Sequence, residues 1–161
     1  MGYGEDSHKL VIDKKLIIGN VSIQDSPVGV VAHSDGDVLL HALADALLSS
    51  VALGDIGHYF PPNNAAFKDI SSAEILNEIL SVIKNHWEIQ ILNVAGVVVL
   101  DKPKLGKHRE YIQKRVAELL NLSIDQVGIT FKTSEGLAKN HIQSRVTVLL
   151  FCVSHKLKHK K

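Results

Sequence analysis

Asp6-Ser7-His8 sets a carboxylate and an imidazole two residues apart. In an extended segment residues i and i+2 project from the same face, so both side chains can reach one ion. A third donor, His41, stands in a stretch whose Val38, Leu39, Ala42, Leu43, Ala46, Leu47 and Val51 recur at three- and four-residue spacing, the pattern of a helix. Two histidines and one carboxylate, with a fourth position open, are a ligand set used by catalytic zinc. With nine histidines in the chain, another reading stays open, in which Asp6 and His8 are exposed strand-end residues and His41 is a hydrogen-bonded helix histidine. Asp37 and Asp45 flank His41 at four residues on either side, so either carboxylate can accept the second imidazole N–H and fix its tautomer. Helix-end charge complementarity for Asp37 and plain solvent exposure for Asp45 are the alternatives.

Phosphate chemistry is suggested at further points. His33-Ser34-Asp35-Gly36-Asp37 lies at the helix start, where unsatisfied N–H groups and the positive dipole end favour an anion, although Ser34 or Asp35 also serves as a simple N-cap. Lys132-Thr133-Ser134-Glu135-Gly136, at the end of a strand, combines a cation, two hydroxyls, a carboxylate and a glycine. That set suits a phosphate and its magnesium, with Glu135 as a hard oxygen ligand, and it equally reads as a polar turn. Gly54-Asp55-Ile56-Gly57 offers Asp55 and backbone groups to sugar hydroxyls, or merely turns the chain after a helix. Pro103-Lys104 can form a rigid lip that presents backbone groups to a base. No Ser/His/Asp or Cys/His triad with a recognisable local motif is present. Trp87 and Phe60 read as core, and Cys152, set among apolar residues, as an inert buried thiol.

Strands and helices must hold these groups in place. Met1 to His8 is glycine-punctuated, consistent with a first strand whose glycines let other backbone come close. Leu16 to Ile18, Gly19-Asn20 and Val21 to Ile23 predict a hairpin. A helix from Ser34 to about Gly54 follows, then one opened by the capping box Ser71 and Glu74, with Ile75, Ile79 and Val82 on one face. Ile89 to Leu100 predicts a long strand stopped at Lys102-Pro103. Lys107 to Leu120 predicts an amphipathic helix with Tyr111, Val116, Leu119 and Leu120 apolar, and Val127 to Thr133 and Arg145 to Val153 predict two strands, read as antiparallel neighbours. The fold class is α/β or α+β, a single small mixed sheet layered with helices. No repeat or linker divides the chain, so residues 1–154 read as one domain and 155–161 as a basic, disordered tail.

The chain has 161 residues, of which 45% are hydrophobic. That is one ordinary domain, large enough to bury a core without disulfides. One cysteine and the lack of a basic-then-apolar opening argue against secretion and for a cytoplasmic protein, or a plastid-type organelle if a leader was removed. Apolar runs such as Val146 to Val153 fall far short of the roughly 20 residues a membrane helix needs. The net charge is +1, but the last seven residues carry four lysines, so the body is left with 14 basic against 17 acidic residues. A body of that sign argues against a nucleic-acid footprint.

In their order along the chain these clusters resemble the 2-C-methyl-D-erythritol 2,4-cyclodiphosphate synthases of the non-mevalonate isoprenoid pathway. The stretches that carry the resemblance are Gly2-Tyr3-Gly4-Glu5-Asp6-Ser7-His8, Ala32-His33-Ser34-Asp35-Gly36-Asp37 running on to His41 and Asp45, Leu53-Gly54-Asp55-Ile56-Gly57 to Phe60-Pro61, Lys102-Pro103-Lys104, and Lys132-Thr133-Ser134-Glu135. The resemblance implies a phosphorus–oxygen lyase and a homotrimer with active sites between subunits. It implies zinc, or another divalent transition metal, on Asp6, His8 and His41. Substrate phosphate would fall to His33 and Ser34, methylerythritol to Asp55 and Gly57, and cytidine to Pro103, Lys104 and neighbouring backbone. Lys132 and Thr133 would meet the diphosphate, and Glu135 a magnesium or manganese ion. The implied catalytic residues are Thr133, Ser34 and His33. The implied substrate is a cytidine diphosphate derivative, 4-diphosphocytidyl-2-C-methyl-D-erythritol 2-phosphate, whose own 2-phosphate is the nucleophile, with CMP leaving.

Two departures stand out. After the Thr-Ser-Glu motif the family usually continues with a Gly-Arg-Gly-Glu-Gly-like stretch, whereas Leu137 to Arg145 is shorter and lacks it. The family's Phe-Pro-Asp-x-Asp loop is here Phe60-Pro61-Pro62-Asn63-Asn64, without its carboxylates. Two further function classes therefore stay in view: a zinc-dependent phosphohydrolase, with His33 or Asp55 as general base, and a trimeric zinc- and nucleotide-binding protein with weakened catalysis.

Overall fold

The computed structural model describes residues 1–67 and 69–155. Strand β1 (Gly2–Ile12) is followed by the short β2 (Ile17–Ile18) and β3 (Val21–Ser22), by β4 (Val28–Val30) and by helix α1 (Val38–Ser50). The one-turn α2 (Ile56–Tyr59) and α3 (Ser72–His86) lead into the long β5 (Trp87–Val99), and α4 (Arg109–Leu120), β6 (Val127–Lys132) and β7 (His141–His155) follow. Five strands form one sheet in the order β4-β1-β7-β5-β6, while β2 and β3 pair with each other. β5 and β6 run parallel and are joined through α4; the other pairs in the sheet are antiparallel. The mixed sheet layered with helices that the sequence predicts is the fold observed. Among the described residues no helix is long and apolar enough to cross a membrane.

Local chemistry explains most of these elements. Gly19 and Asn20 both take a φ of 60°, which matches the right-handed twist of the flanking strands and closes the β2–β3 hairpin. α1 buries ten of its thirteen residues, because β1 and β7 lie beneath it and α3 and the hairpin flank it. A helix buried on nearly all sides can be apolar all round. Its seating on β1 depends on Gly2 and Gly4. A Cβ at Gly2 would stand 1.8 Å from the Ala46 carbonyl oxygen, and one at Gly4 2.1 Å from that of Ala42. The helix backbone thus lies directly on the strand just ahead of Asp6, and this brings His41 within reach of Asp6. α3 opens with the expected Ser71–Glu74 capping box.

Several expectations are corrected. The N-cap of α1 is Asp37, not Ser34 or Asp35: its carboxylate accepts from the N–H groups of Leu39 and Leu40. β6 and β7 are not neighbours, since β5 lies between them. α4 buries Ile112, Val116, Ala117 and Leu120, while Tyr111 is 70% exposed, and on α3 Ile83 rather than Val82 continues the buried face. Cys152 is exposed, because the C-terminal half of β7 runs past the helix layer. His155 still belongs to β7, and its ring meets Trp87 edge-on at 4.4 Å between centroids; the rest of the tail, 156–161, lies outside the described residues.

The sheet is covered by helices on one face. Ile142, Ser144, Val146 and Val148 of β7 are buried towards α1. The alternate residues emerge on the other face, where Leu149, Phe151 and Val153 are each about half exposed. Nearer the start of β7 that face is polar: Glu5 accepts from the Tyr3 hydroxyl, from Gln143 and from Arg145 at 2.7, 3.0 and 2.9 Å.

Candidate active site

Asp6 and His8 alternate with Glu5 and Ser7 along β1, so they face the helix layer, where His41 enters from the first turn of α1. Asp6 Oδ2 lies 3.0 Å from His41 Nδ1 and 3.0 Å from His8 Nε2. One ligand atom from each of the three residues falls within 4.8 Å of the others. Tetrahedral zinc with bonds of roughly 2.0–2.1 Å would separate its ligand atoms by about 3.3 Å, so small adjustments suffice to seat an ion. His8 Nε2 supplies the test of fit. It is buried, and despite its closeness to Asp6 it makes no hydrogen bond of acceptable geometry. A buried ring nitrogen left without a hydrogen-bond partner costs free energy, and a metal ion at this point would satisfy it. The two-histidine, one-carboxylate reading therefore agrees with the assembled residues.

The electrostatics point the same way. Burial alone would raise the Asp6 carboxyl, but the His41 and His8 imidazoles outweigh it and hold Asp6 well below the usual carboxylate range. Burial alone would likewise lower His41, yet its hydrogen bond to Asp6 and the charges of Asp6, Asp37 and Asp35 push it up. The two groups thus attract each other as an ion pair until a cation takes the proton's place.

The expected tautomer holders are not the real ones. Asp37 is fully buried and spends its carboxylate on four backbone N–H groups, those of Gly19, Asn20, Leu39 and Leu40. Burial pushes it up to about 6 against those bonds. Asp45 accepts from the Ile56 N–H at 2.8 Å, and burial raises it too. His41 Nε2 instead faces Ser72 Oγ at 2.9 Å and Ser34 Oγ at 3.2 Å. Ser72 went unnoticed in the sequence because it is merely the residue after the Ser71 cap, and its partners lie 31 and 37 residues away.

The metal-suited cluster opens into a cavity of about 480 Å³ whose wall includes His33, Ser34 and Gly57, together with Phe60, Asn63 and Asn64. Phe60 thus lines the site while packing, partly buried, against the core. Since Asp37 takes the Leu39 and Leu40 N–H groups, a phosphate here would meet the His33 and Ser34 side chains instead of the α1 terminus. Asp55 lies outside the cavity wall and caps α2 through the His58 N–H at 3.1 Å. The remaining residues gather elsewhere. Lys104, Thr133 and Glu135 line a second cavity of about 490 Å³ with Asp101, Lys102 and Lys139, and Lys132 joins them on an adjoining hollow. Pro103 follows a cis peptide bond. The Thr133 hydroxyl donates to Glu135 at 2.5 Å, and Asp101 fastens the turn by accepting from the Ser134 N–H and hydroxyl. Within one chain the metal-suited cluster and the Lys-Thr-Glu cluster thus line separate cavities.

Comparison with known proteins agrees with this geometry. The model of the YgbB family matches residues 1–151. The 2-C-methyl-D-erythritol 2,4-cyclodiphosphate synthase of Deinococcus radiodurans is 53% identical over 150 residues, covering 93% of this chain and 92% of that protein. The synthase of the same name from Thermus thermophilus is 47% identical over 150 residues, covering 93% and 97%. A solved 2C-methyl-D-erythritol-2,4-cyclodiphosphate synthase in its CDP-bound form superposes with a TM-score of 0.86 at 44% identity, covering 93% of this chain and 99% of that one. With a family match over nearly its whole length and relatives at these identities, the chain belongs to the YgbB family, that of the 2-C-methyl-D-erythritol 2,4-cyclodiphosphate synthases.

Proposed function

We propose that the chain converts 4-diphosphocytidyl-2-C-methyl-D-erythritol 2-phosphate to 2-C-methyl-D-erythritol 2,4-cyclodiphosphate and CMP, acting as a phosphorus–oxygen lyase in isoprenoid synthesis. The observation that carries the reading is the Asp6, His8 and His41 cluster opening into a cavity shared with His33 and Ser34. The substrate's 2-phosphate attacks the β-phosphorus in line. A new P–O bond closes the ring, the P–O bond to the CMP phosphate breaks, and CMP leaves with the electron pair. No side chain is needed as nucleophile. Asp6, His8 and His41 would hold a divalent ion, zinc in this reading, which polarises diphosphate oxygens and neutralises charge passing to the leaving group. His33 and Ser34 hold the reacting phosphate in the cavity, so that the attack becomes a matter of position. Gly57, with Asp55 beside it, takes the methylerythritol. Lys104 and the Pro103 turn take the cytidine, Lys132 and Thr133 the diphosphate, and Glu135 a magnesium or manganese ion. The bacterial relatives favour a cytoplasmic setting.

The separation of the two clusters within one chain supports a homotrimer in which one subunit supplies the metal cluster and its neighbour the Lys104–Thr133–Glu135 cluster. The half-exposed Leu149, Phe151 and Val153 on the uncovered sheet face give such an assembly apolar surface to bury. Sedimentation equilibrium should give about three times the 17.6 kDa chain mass, in keeping with closed symmetry. A monomer that turns over substrate would overturn the shared site.

Incubation with the diphosphocytidyl substrate tests the reaction. CMP with the cyclic diphosphate is expected; CMP with an open-chain product would mark a phosphohydrolase, and unchanged bound substrate a nucleotide-binding protein. Glu135→Gln should keep the fold and cytidine binding but weaken the magnesium dependence of turnover, because a neutral amide is a poorer ligand for a hard cation. Superimposable magnesium titrations for wild type and variant would make Glu135 a turn residue only.

A further inference from the structure

Ser72 is 1% exposed, at the first position of α3, and every polar atom around its hydroxyl can be accounted for. Both oxygens of Asp35 turn towards it. Oδ2 accepts from the Ser72 backbone N–H at 3.0 Å, and Oδ1 accepts from the Ser72 hydroxyl in a very short bond. An ionised carboxylate can only accept, so the single hydroxyl proton of Ser72 is committed to Asp35. Towards His41 Nε2, 2.9 Å away, the Ser72 oxygen can then only accept, and Nε2 must carry a proton. Nδ1 stands 3.0 Å from Asp6 Oδ2, so it is the nitrogen whose proton an ion entering between Asp6 and His8 replaces. Ser34 Oγ lies farther from Nε2, at 3.2 Å, and itself accepts from the Gly36 N–H.

From this proton count we propose that Ser72 and Asp35 are positioning residues, which keep a proton on His41 Nε2 so that Nδ1 is the nitrogen that binds the metal. The inference rests on reading Asp6, His8 and His41 as the metal site. It deepens that reading by assigning the groups behind the ligand, which are also what fixes the entry of α3 against α1. Partners of this kind raise ligand basicity and commonly govern metal affinity by ten- to a hundredfold.

The two residues can be separated by what each substitution does to the proton. Ser72→Ala removes the acceptor and leaves Nε2 without a partner there, while the Ser71 cap keeps α3 intact. Asp35→Asn does more: its one carbonyl oxygen is claimed by the Ser72 N–H, its amide donates to the hydroxyl, and the hydroxyl proton turns to His41 Nε2. The proton of the ring then sits on Nδ1, where it blocks the metal.

The test uses the full chain, stripped of metal and titrated with zinc against a chromophoric chelator, with ¹⁵N spectra of the histidine rings recorded on the same samples. Zinc affinity should fall about tenfold or more in Ser72→Ala and further in Asp35→Asn. With zinc bound, the ring spectra should show the wild-type His41 keeping its proton on Nε2, whereas the neutral ring of Asp35→Asn should carry its proton on Nδ1, a change that loosened packing alone would not produce. Unchanged zinc affinity in both variants, or a zinc-loaded wild type without a proton on His41 Nε2, would overturn the relay. A wild-type chain whose zinc binding survives His8→Ala would instead overturn the metal site itself.

Discussion

His8→Ala and Asp6→Ala should each strip the divalent ion from the purified protein and lower turnover by about a thousandfold. Three protein ligands leave little affinity when one is lost, and no other His, Cys, Asp or Glu among the described residues completes the cluster. Lewis-acid stabilisation of a diphosphate is worth several kcal/mol, and each ~1.4 kcal/mol is tenfold in rate, so a loss of about 4 kcal/mol gives the stated factor. The fold should survive, since both side chains are one-fifth exposed. His41→Ala should also lose the metal, but it opens a hole beneath α3, so its lost activity is less easily separated from lost packing. Elemental analysis decides the matter alongside the cyclisation assay. Full occupancy in either β1 variant, or turnover that persists without metal, would show that the three residues are an ion pair and a neighbour, not a site.

What the sequence made legible depended on how far apart the deciding partners were. The Gly19-Asn20 hairpin, the Ser71–Glu74 box and the alternation of β1 are set within a few residues, so type and spacing sufficed. The spacing that put Asp6 beside His8 was equally local, and the glycines at 2 and 4 announced a close approach without saying what approached. The misreadings are long-range. Ser34, Asp35 and Asp37 are all competent caps in isolation, and the choice among them is made by the β2–β3 hairpin, which draws Asp37 inward, and by Ser72, which engages Asp35. β6 and β7 looked like neighbours because nothing local says that the long β5 is inserted between them. Cys152 follows Leu150 in the alternation of the buried face and would be core if the helix layer extended that far along β7. That layer ends before Cys152. The wall supplied by Phe60, Asn63 and Asn64 was hidden for the same reason, since a loop shows its function only when its neighbours are known.

Asp37→Ala should be the most destabilising single change outside the apolar core, costing on the order of 4 kcal/mol. The carboxylate is fully buried and accepts from four backbone N–H groups, two in the first turn of α1 and two in the hairpin turn, at 2.6 to 3.1 Å. Loss of a helix cap costs about 1 kcal/mol, and each buried N–H left unpaired adds roughly 1–3 kcal/mol where water cannot reach it. Against a typical total of about 5–15 kcal/mol the variant would stand close to unfolding. Because His41 follows one turn after Asp37, the metal cluster should loosen with the helix start. The pH dependence gives an independent check. Burial raises the Asp37 carboxyl from 3.8 to about 6 in the fold. A carboxyl raised in the folded state contributes stability below its unfolded value, and that contribution is lost as pH rises through the folded value. The stability difference between wild type and Asp37→Ala should therefore shrink between about pH 4 and pH 6, and flatten above it. Urea midpoints across that range measure it. A difference that grows with pH would mean that the four N–H groups hold Asp37 ionised at the bottom of the range and that burial is not the stronger influence.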